Sequence, residues 1–544
     1  MEQYSLPGGS CFQHRLGATL PRSMIVIDSI QVPKTPMNFN LAFPFYNQAC
    51  DHPDRVALYV DGVSYSYGQL ADLVARTAQA LGSARKVCVL ASRSLGAYTG
   101  VLGASWCGAA YIPLSPKLPA ERLIYILKTI NPDALIVDEM GLACLTPEVK
   151  AAAPPLILDL SGNLDSLPQS RLPEPVQREA DDLAYILFTS GTTGLPKGVM
   201  ITLGNVAQFL AAMQPRFNPV ATDRVSQTSE LTFDVSVFEM FIAWGCGASV
   251  EVIPPNQLMA PVRFIQDRQL TVWSSVPSIA SFIRRMKMLQ PGAFPSLRYS
   301  VFAGEALPWS LAEAWQAAAP CSVVENLYGP TEATVYCLGA TFGPDFPPTP
   351  ERGTVPSGYP LPGLEAAILD DAFTFLPAGD EGQLAVSGGQ IALGYFNEAK
   401  LTQQRFPSIA GKTWYLTGDL ARQDERGIFH HLGRIDNQVK VLGQRVEMEE
   451  IESNLRAVSG SENVAAVPWP IQDGIVTGIV AFTSGVAKPP EELIEALRRI
   501  LPPYMVPRQI LQIDELPLNP SGKIDRKALA RCLDESASKR ASVK

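Results

Sequence analysis

Hydroxyl side chains, glycines and a lysine are concentrated in one short stretch of the chain, residues 189–197. This stretch directly follows the apolar run 185–188, which has the composition of a buried strand. Backbone N–H groups and hydroxyls in such a loop can wrap around a polyphosphate, and the lysine adds positive charge. It is not a Walker A loop, because Pro196 and Gly198 stand where that motif has glycine and a magnesium-binding Ser or Thr. The predicted phosphate-binding residues are Thr189, Ser190, Gly191, Thr192, Thr193, Gly194 and Lys197.

The same stretch, extended to Leu-Phe-Thr-Ser-Gly-Thr-Thr-Gly-Leu-Pro-Lys-Gly at residues 187–198, resembles the signature of the adenylate-forming (ANL) superfamily. That superfamily contains acyl-CoA synthetases, luciferases and the adenylation domains of nonribosomal peptide synthetases. The resemblance extends along nearly the whole chain, with the family's motifs in order. It implies a ligase that uses ATP and Mg²⁺ to convert a carboxylic acid into its AMP anhydride.

Further motifs of this resemblance supply candidates for binding the nucleotide and the metal. In the sequence Asn-Leu-Tyr-Gly-Pro-Thr-Glu, Tyr328 offers a flat face for adenine, Thr331 a hydroxyl for the α-phosphate and Glu332 a hard oxygen ligand for Mg²⁺. Asp419, in Thr-Gly-Asp, has a carboxylate that can accept both ribose hydroxyls. In addition to the phosphate loop, the resemblance implies that ATP is bound by Asn326, Tyr328, Asp419, Arg434 and Lys523.

Two later positions are implied to act in the catalytic cycle. Asp436 would be the hinge about which a small domain rotates between two half-reactions, which fits a short linker between two cores. Lys523, in Asn-Pro-Ser-Gly-Lys-Ile-Asp-Arg, would stabilise the charge that builds on the carboxylate and the α-phosphate as pyrophosphate leaves. The predicted catalytic residues are Lys523, Thr331 and Glu332.

One aspartate distinguishes between classes of carboxylic acid. Asp234 follows Leu-Thr-Phe, at a place where amino-acid-activating members of the superfamily use an aspartate to pair with the substrate ammonium group. Acyl-CoA synthetases leave the pocket apolar there. Burying an unpaired ammonium group would cost several kcal/mol, so a carboxylate partner is close to obligatory. The substrate is therefore predicted to be an amino acid.

The rest of the amino-acid pocket, carried over from the family position by position, favours a small substrate. Between Asp234 and Lys523 it has no charged residue, and Phe238, Leu327 and Tyr336 are bulky enough to fill the space of a side chain. Glycine is therefore ranked first, alanine second, and proline or another small amino acid third. The predicted amino-acid-binding residues are Asp234, Val235, Phe238, Ser274, Val301, Ala303, Leu327, Val335 and Tyr336.

The acceptor of the activated amino acid is implied to be the phosphopantetheine thiol of a carrier protein. Segments 272–278 and 302–308 are similar to those of D-alanine–carrier protein ligases, although Ala303 stands where those ligases generally have cysteine, which argues against D-alanine. The chain also resembles a free-standing type of ligase that activates glycine for lipid A modification. We expect the carrier to be a separate protein, because the Gly-Gly-Ser at residues 8–10 has too few residues before it for a carrier bundle.

Two other functions stay open at this point. A coenzyme A ligase for a small carboxylic acid shares every nucleotide motif, so only the pocket around Asp234 distinguishes it. A catalytically silent nucleotide-binding protein is disfavoured, because Glu332, Asp419 and Lys523 are all present.

The elements that must hold these residues follow an α/β pattern. Short β-branched runs at 86–90, 134–137 and 156–158 predict buried strands, and segments such as 69–81 predict amphipathic helices between them. This alternation predicts mostly parallel sheets. Short strands broken by Gly, Pro and Asp over about 355–432 predict a β-rich subdomain.

The predicted fold class is therefore α/β, with a large N-terminal domain of two α/β sheets plus a β-rich subdomain, and a small α+β C-terminal domain on a hinge. The predicted divisions of the chain are a disordered extension over 1–23, a large adenylation domain over 24–433, a hinge at 434–436, a C-terminal lid domain over 437–535 and a disordered tail over 536–544.

Composition narrows the setting in which the protein works. A net charge of −9 argues against nucleic acid as a partner. The nine cysteines are scattered without disulfide or metal-binding spacing, which predicts reduced thiols and a cytoplasmic location. No apolar stretch is long enough for a membrane span, and no signal peptide is recognisable.

Overall fold

The computed structural model describes residues 38–162, 164, 167–169, 174–191, 194–350, 352–472, 475–518 and 524–541. We call the described residues up to 434 the large domain and those from 437 the C-terminal domain. The extension predicted over 1–23 lies outside the described residues, and so do Thr192, Thr193 and Lys523. The exact domain boundaries stay predictions.

Helices and strands alternate along the first two thirds of the large domain, as predicted. Its helices are α1 (Ala42–Asp51), α2 (Tyr67–Leu81), α3 (Leu95–Trp106), α4 (Ala120–Ile130), α5 (Glu139–Ala143), α6 (Pro147–Ala152), α7 (Leu203–Phe217), α8 (Val235–Cys246), α9 (Val262–Asp267), α10 (Pro277–Arg285), α11 (Trp309–Ala318) and α12 (Ala399–Arg405). Its strands are β1 (Val56–Val60), β2 (Val63–Ser66), β3 (Lys86–Leu90), β4 (Ala110–Leu114), β5 (Ala134–Val137), β6 (Leu156–Asp159), β7 (Leu183–Thr189), β8 (Lys197–Thr202), β9 (Arg224–Gln227), β10 (Ser249–Val252), β11 (Val272–Ser275), β12 (Tyr299–Ala303), β13 (Val323–Tyr328), β14 (Leu338–Thr341), β15 (Tyr359–Pro360), β16 (Leu364–Leu369), β17 (Glu381–Gly388), β18 (Gly394–Tyr395), β19 (Ser408–Ile409), β20 (Lys412–Thr413), β21 (Tyr415–Gln423) and β22 (Phe429–Arg434).

Two mostly parallel sheets form the centre of the large domain. Within the described residues their strand orders are β18-β8-β7-β4-β3-β5-β6 and β15-β14-β13-β12-β11-β9-β10-β1-β2. The predicted strands are confirmed as β3, β5 and β6, and the predicted helix is α2. Helix α2 begins at Tyr67 because Ser66 and Gln69 form a reciprocal capping box. Strands β3, β4 and β5 are apolar and buried almost throughout, as expected for central strands of a parallel sheet.

The predicted β-rich subdomain is an antiparallel sheet in the order β16-β17-β21-β22. Its last two strands pair so that Asp419 lies opposite Arg434. Two of the predicted ATP-binding side chains are therefore brought together by strand register, at the end of the large domain.

The C-terminal domain has an α+β composition and its own apolar core. Its helices are α13 (Met448–Ser459), α14 (Pro490–Arg498) and α15 (Arg526–Ala541), and its strands are β23 (Gln438–Val441), β24 (Gln444–Glu447), β25 (Val464–Pro468), β26 (Ile471–Gln472), β27 (Ile475–Val476), β28 (Ile479–Thr483) and β29 (Gln509–Gln512). Its two apolar clusters contain only residues from Val439 onward. Helix α15 extends to Ala541, into the tail over 536–544 that the sequence predicts to be disordered, and residues 542–544 lie outside the described residues.

A tight hairpin of the C-terminal domain points toward the large domain. Strands β23 and β24 are antiparallel neighbours joined by Leu442 and Gly443, whose φ angles of 50° and 81° match the two-residue turns typical of hairpins. A Cβ on Gly443 would lie 2.5 Å from the side chain of Val276. Only glycine therefore allows the hairpin tip to approach the large domain this closely.

No helix in the described ranges is long and apolar enough to cross a membrane. The cysteines within these ranges are all free thiols.

Candidate active site

A cavity of about 870 Å³ lies between the large domain and the β23–β24 hairpin. It is lined by parts of every motif that the sequence singled out, apart from those outside the described residues. The predicted site residues in its lining are Thr189, Ser190, Asp234, Val235, Ala303, Asn326, Leu327, Tyr328, Thr331, Val335, Tyr336, Asp419, Arg434 and Asp436.

The phosphate loop joins β7 to β8, which are antiparallel neighbours with Thr189 opposite Lys197. A Cβ on Gly191 would lie 2.4 Å from the backbone oxygen of Leu195, so a side chain does not fit there. Gly194 has a φ of 87°, which glycine adopts without steric cost. The glycines of the motif are thus required by the tight path of the loop.

Glu332 is the centre of a buried cluster of charges beside the cavity. It is fully buried in the short 3₁₀ helix Thr331–Ala333 and accepts a hydrogen bond from the Tyr395 hydroxyl at 2.8 Å. Lys197 Nζ lies 3.7 Å from one Glu332 oxygen, and Arg445 Nη1 lies 3.1 and 2.9 Å from the two oxygens. Burial would raise the pKa of Glu332, but the charges of Arg445 and Lys197 hold it at about 2. Glu332 is therefore ionised.

These surroundings fit the predicted role of Glu332 as a magnesium ligand. Its carboxylate is ionised, as a ligand of a hard cation must be, and in this structure Arg445 and Lys197 supply the positive charge that balances it. The described residues contain no cluster of three or more His, Cys, Asp or Glu side chains that would form a complete metal site. Magnesium does not need one when phosphate oxygens of a nucleotide supply the remaining ligands.

The predicted ribose-binding carboxylate is enclosed by hydrogen-bond donors. Asp419 Oδ2 accepts a hydrogen bond from the Tyr328 hydroxyl, while Oδ1 accepts one from Arg434 Nη1 at 2.8 Å and lies 3.3 Å from His431 Nε2. Burial would raise the pKa of Asp419, but His431 and Arg434 more than offset it and hold the pKa well below its usual range. Arg434 also donates to both oxygens of Asp436, at 2.6 and 2.8 Å. These contacts fix an ionised Asp419 in one orientation.

Asn326, the remaining predicted nucleotide contact on β13, holds a neighbouring loop in place. Its side-chain nitrogen donates to the backbone oxygens of Val355 and Pro356, at 3.1 and 2.9 Å. The two donors of the amide are therefore used by the protein itself, and the residue forms part of the cavity wall.

Asp234 is a buried carboxylate facing the cavity from the start of α8. It is 9% exposed, makes no side-chain cap to the helix, and forms no ion pair with any residue that the structure describes. Burial raises the pKa of Asp234 to about 6, although the Thr331 hydroxyl and the Lys440 charge act in the opposite direction. A carboxylate in this condition is stabilised by a cationic ligand.

The floor of the pocket differs in part from the sequence prediction. Tyr336 lines the cavity, whereas Phe238 does not. The ring of Phe238 packs behind that of Tyr336, with the two ring centroids 5.6 Å apart, and against the ring of Phe217, with centroids 5.2 Å apart. Helix α8 is buried along most of its length, so Phe238 faces the core. Ser274 and Val301 also lie behind the lining, on the neighbouring strands β11 and β12.

The loop that carries Tyr336 is strained. Thr334 and Val335 both have positive φ angles, 53° and 70°, which a β-branched residue rarely adopts. A Cβ on Gly329 would lie 2.2 Å from the backbone oxygen of Val335. Such strain persists only when the surroundings impose it, and it is concentrated at functional sites.

The sequence interpretation did not identify several charged groups around the cavity. Lys440 and Arg445 reach it from the hairpin, while Glu450 and Arg122 form a buried ion pair between α13 and α4. The high density of charge over residues 447–452 is the sequence signal that could have indicated Glu450. Buried charges this close to a phosphate loop are candidates for function.

Comparison with known families identifies the class of protein. Residues 45–396 match the family model described as AMP-binding enzyme, and residues 450–523 match the AMP-binding enzyme C-terminal domain. The chain therefore belongs to the AMP-binding enzyme family of adenylate-forming ligases. Enzymes of this class use ATP with Mg²⁺, which agrees with the phosphate loop and with Glu332.

Relatives agree with this assignment over nearly the whole chain. The chain is 33% identical over 498 residues to a dimodular nonribosomal peptide synthase of Bacillus subtilis (strain 168), covering 89% of this chain and 20% of that protein. The chain thus spans about a fifth of the length of that curated relative. The Vibrio cholerae adenylation domain AlmE, solved in complex with glycyl-adenosine-5′-phosphate, is 31% identical, with a TM-score of 0.83 and coverage of 93% of this chain and 99% of AlmE. Holo-PA1221, a protein with adenylation and PCP domains, is 25% identical, with a TM-score of 0.76 and coverage of 91% and 84%.

Proposed function

We propose that this protein activates a small amino acid as its aminoacyl adenylate and transfers it to the phosphopantetheine thiol of a separate carrier protein. The single observation that carries the choice of an amino acid is Asp234, a buried carboxylate in the cavity wall with a raised pKa and no ion pair among the described residues. A substrate ammonium group would supply the missing charge partner.

The remaining side chains take the roles that the family resemblance implies. The phosphate loop holds the ATP phosphates, Asp419 orients the ribose and Glu332 holds the magnesium ion that accompanies the nucleotide. Lys523 stabilises the developing charge during adenylation, and Asp436 is the hinge between the two half-reactions. Electrostatic groups fixed before the reaction contribute most because they need no reorganisation in the transition state.

Glycine is the amino acid that we propose first, with alanine second. Tyr336 and Leu327 occupy the cavity wall near Asp234, and the aromatic packing behind Tyr336 resists its displacement. AlmE, with which the chain shares its fold over nearly its full length, was solved with a glycyl adenylate. Proline is the third choice. We also propose lipid A modification as the pathway that the loaded carrier supplies, and the cytoplasm as the place of reaction.

The test is amino-acid-dependent exchange of labelled pyrophosphate into ATP. Glycine should support faster exchange than leucine, lysine or phenylalanine, and the matched acid glycolate, which lacks the ammonium group, should support little. Mass spectrometry should then show glycyl transfer to a phosphopantetheinylated carrier protein. Equal exchange with branched or charged amino acids would contradict the small pocket.

A coenzyme A ligase for a small carboxylic acid is the alternative. In that case glycolate or acetate would support exchange as well as glycine does, and free coenzyme A would accept the acyl group in preference to any carrier. The same two assays therefore separate the two functions.

A further inference from the structure

Two consecutive histidines on β22 have different surroundings. His430 is buried, with Nδ1 3.1 Å from the Thr349 hydroxyl and Nε2 3.4 Å from Asp424 Oδ2. His431 instead lines the cavity and places Nε2 3.3 Å from Oδ1 of Asp419, the predicted ribose-binding carboxylate. Side chains alternate between the two faces of a strand, so β22 brings only the second histidine to the nucleotide site.

The other ring nitrogen of His431 is occupied by an arginine. Arg352 Nη1 lies 3.1 Å from His431 Nδ1, and Arg352 also lines the cavity. A guanidinium has only donors, so Nδ1 accepts this hydrogen bond and carries no proton. The proton of the imidazole is then on Nε2, from which His431 donates toward Asp419. A doubly protonated ring would set two N–H donors against each other.

The hydrogen bonds of Asp419 leave this donor available to a ligand. Arg434 donates to Oδ1 at 2.8 Å, and the Tyr328 hydroxyl donates to Oδ2. The contact of His431 with Oδ1 is longer than that of Arg434, at 3.3 Å, and is therefore the easier one to exchange. A ribose hydroxyl that donates to Asp419 has lone pairs of its own, which can accept from Nε2–H. One hydroxyl would then satisfy both protein groups.

We propose that His431 is a ribose-binding residue that donates from Nε2 to a ribose hydroxyl of ATP, and that Arg352 is the positioning residue that fixes its tautomer. This inference rests on the proposed role of Asp419. A deoxynucleotide without that hydroxyl gains nothing from His431, so the pair contributes to the choice of ribonucleotide over deoxyribonucleotide. Neither residue was identified from the sequence, because Arg352 and His431 are 79 residues apart and share no local pattern.

The first test measures the affinities of the magnesium complexes of ATP, 2′-deoxy-ATP and 3′-deoxy-ATP by isothermal titration calorimetry, without amino acid or carrier. His431→Phe keeps an aromatic ring near that of Tyr328, 6.1 Å away between centroids in the native protein, and removes the N–H. Loss of one hydrogen bond should weaken ATP binding about three- to tenfold. Binding of the deoxynucleotide that lacks the contacted hydroxyl should stay within about twofold of the wild type, so the preference for ATP over it should fall.

Two further pairs of variants test the donor and its orientation. His431→Gln carries an amide N–H at about the position of Nε2 and should keep most of the preference for ATP. Arg352→Leu should reduce the preference, because the tautomer is no longer fixed, whereas Arg352→Lys can still donate to Nδ1 and should retain it. His52→Phe, at an exposed position directly after α1, is the control and should change neither the affinities nor the preference.

The outcomes that would contradict the proposal are distinct. An unchanged preference in His431→Phe would overturn the ribose contact, and an unchanged preference in Arg352→Leu would overturn the positioning role. Equal losses of affinity for all three nucleotides in His431→Phe would also overturn the contact, because that is the result of a general disturbance of Asp419 or of the fold.

The second test observes the tautomer by nitrogen-15 NMR of histidine-labelled protein. The chain has four histidines, so the ring signals of His431 can be assigned by their disappearance in His431→Phe. They should show a protonated Nε2 and an unprotonated Nδ1, with and without magnesium ATP. A proton on Nδ1 would overturn the assignment. Since neither test involves an amino acid, failure of glycine to be activated would refute the proposed substrate without deciding these outcomes.

Discussion

Replacing Asp234 by asparagine should selectively remove the recognition of the amino acid. The side chain keeps its shape but loses its charge, and it lies in the cavity wall at 9% exposure. Because Asp234 makes neither a helix cap nor an ion pair with the described residues, the folded protein should tolerate this change. The effect should therefore fall on the substrate ammonium group and not on stability.

The expected size follows from the cost that burial imposes on the free carboxylate. Its pKa rises from 3.8 to about 6, a difference that corresponds to about 3 kcal/mol. A substrate ammonium group would recover this cost, and breaking a buried ion pair by removing one partner costs about 3–5 kcal/mol in general. We therefore expect kcat/KM for glycine to fall by about 10²–10³.

Pyrophosphate exchange over a range of glycine and ATP concentrations would measure this loss. The KM for ATP and the thermal midpoint should change little, and exchange with glycolate should be no lower than in the wild type, because glycolate has no ammonium group to lose. Asp371→Asn, at an exposed position of the large domain, is a control of the same chemistry. If Asp234→Asn kept kcat/KM for glycine within about fivefold of wild type, the ammonium group would not bind at Asp234 and the choice of an amino acid would fail.

Three further outcomes are expected. Because the ionised form of Asp234 pairs with the ammonium group and its pKa is about 6, kcat/KM for glycine should fall about tenfold per pH unit below that value, and the Asp234→Asn profile should lack this limb. Lys523→Ala should lower pyrophosphate exchange by about 10²–10³ but should spare transfer from a supplied adenylate to the carrier thiol. Asp436→Pro should spare exchange and slow that transfer. Equal losses in both steps for both variants would refute alternation about a hinge. Gly329→Ala would place a Cβ 2.2 Å from a backbone oxygen, so it should lower the free energy of unfolding by about 1–3 kcal/mol and also lower the thermal midpoint and kcat/KM for glycine. Gly343→Ala has open space at its Cβ and should change none of these quantities.

The pocket floor shows how far a family pattern predicts contacts. Both Phe238 and Tyr336 were predicted to line it, and only Tyr336 does. Helix α8 is apolar and buried on most sides, so its sequence has no polar face to indicate which positions point to the core. The direction of Phe238 is decided by its packing against Phe217 and Tyr336.

The order of the motifs and the alternation of apolar strands and helices determined the fold class and the approximate place of each nucleotide contact. These are local signals: a buried strand followed by Thr189 and Ser190, or Asp234 at the start of a helix, can be recognised within a few residues. Only the tertiary structure decided which distant charges meet. Glu332 and Arg445 are 113 residues apart in sequence, and Arg122 and Glu450 are 328 apart. Their pairing depends on how the two domains pack, because an ion pair of this kind leaves no local periodicity or composition in the sequence.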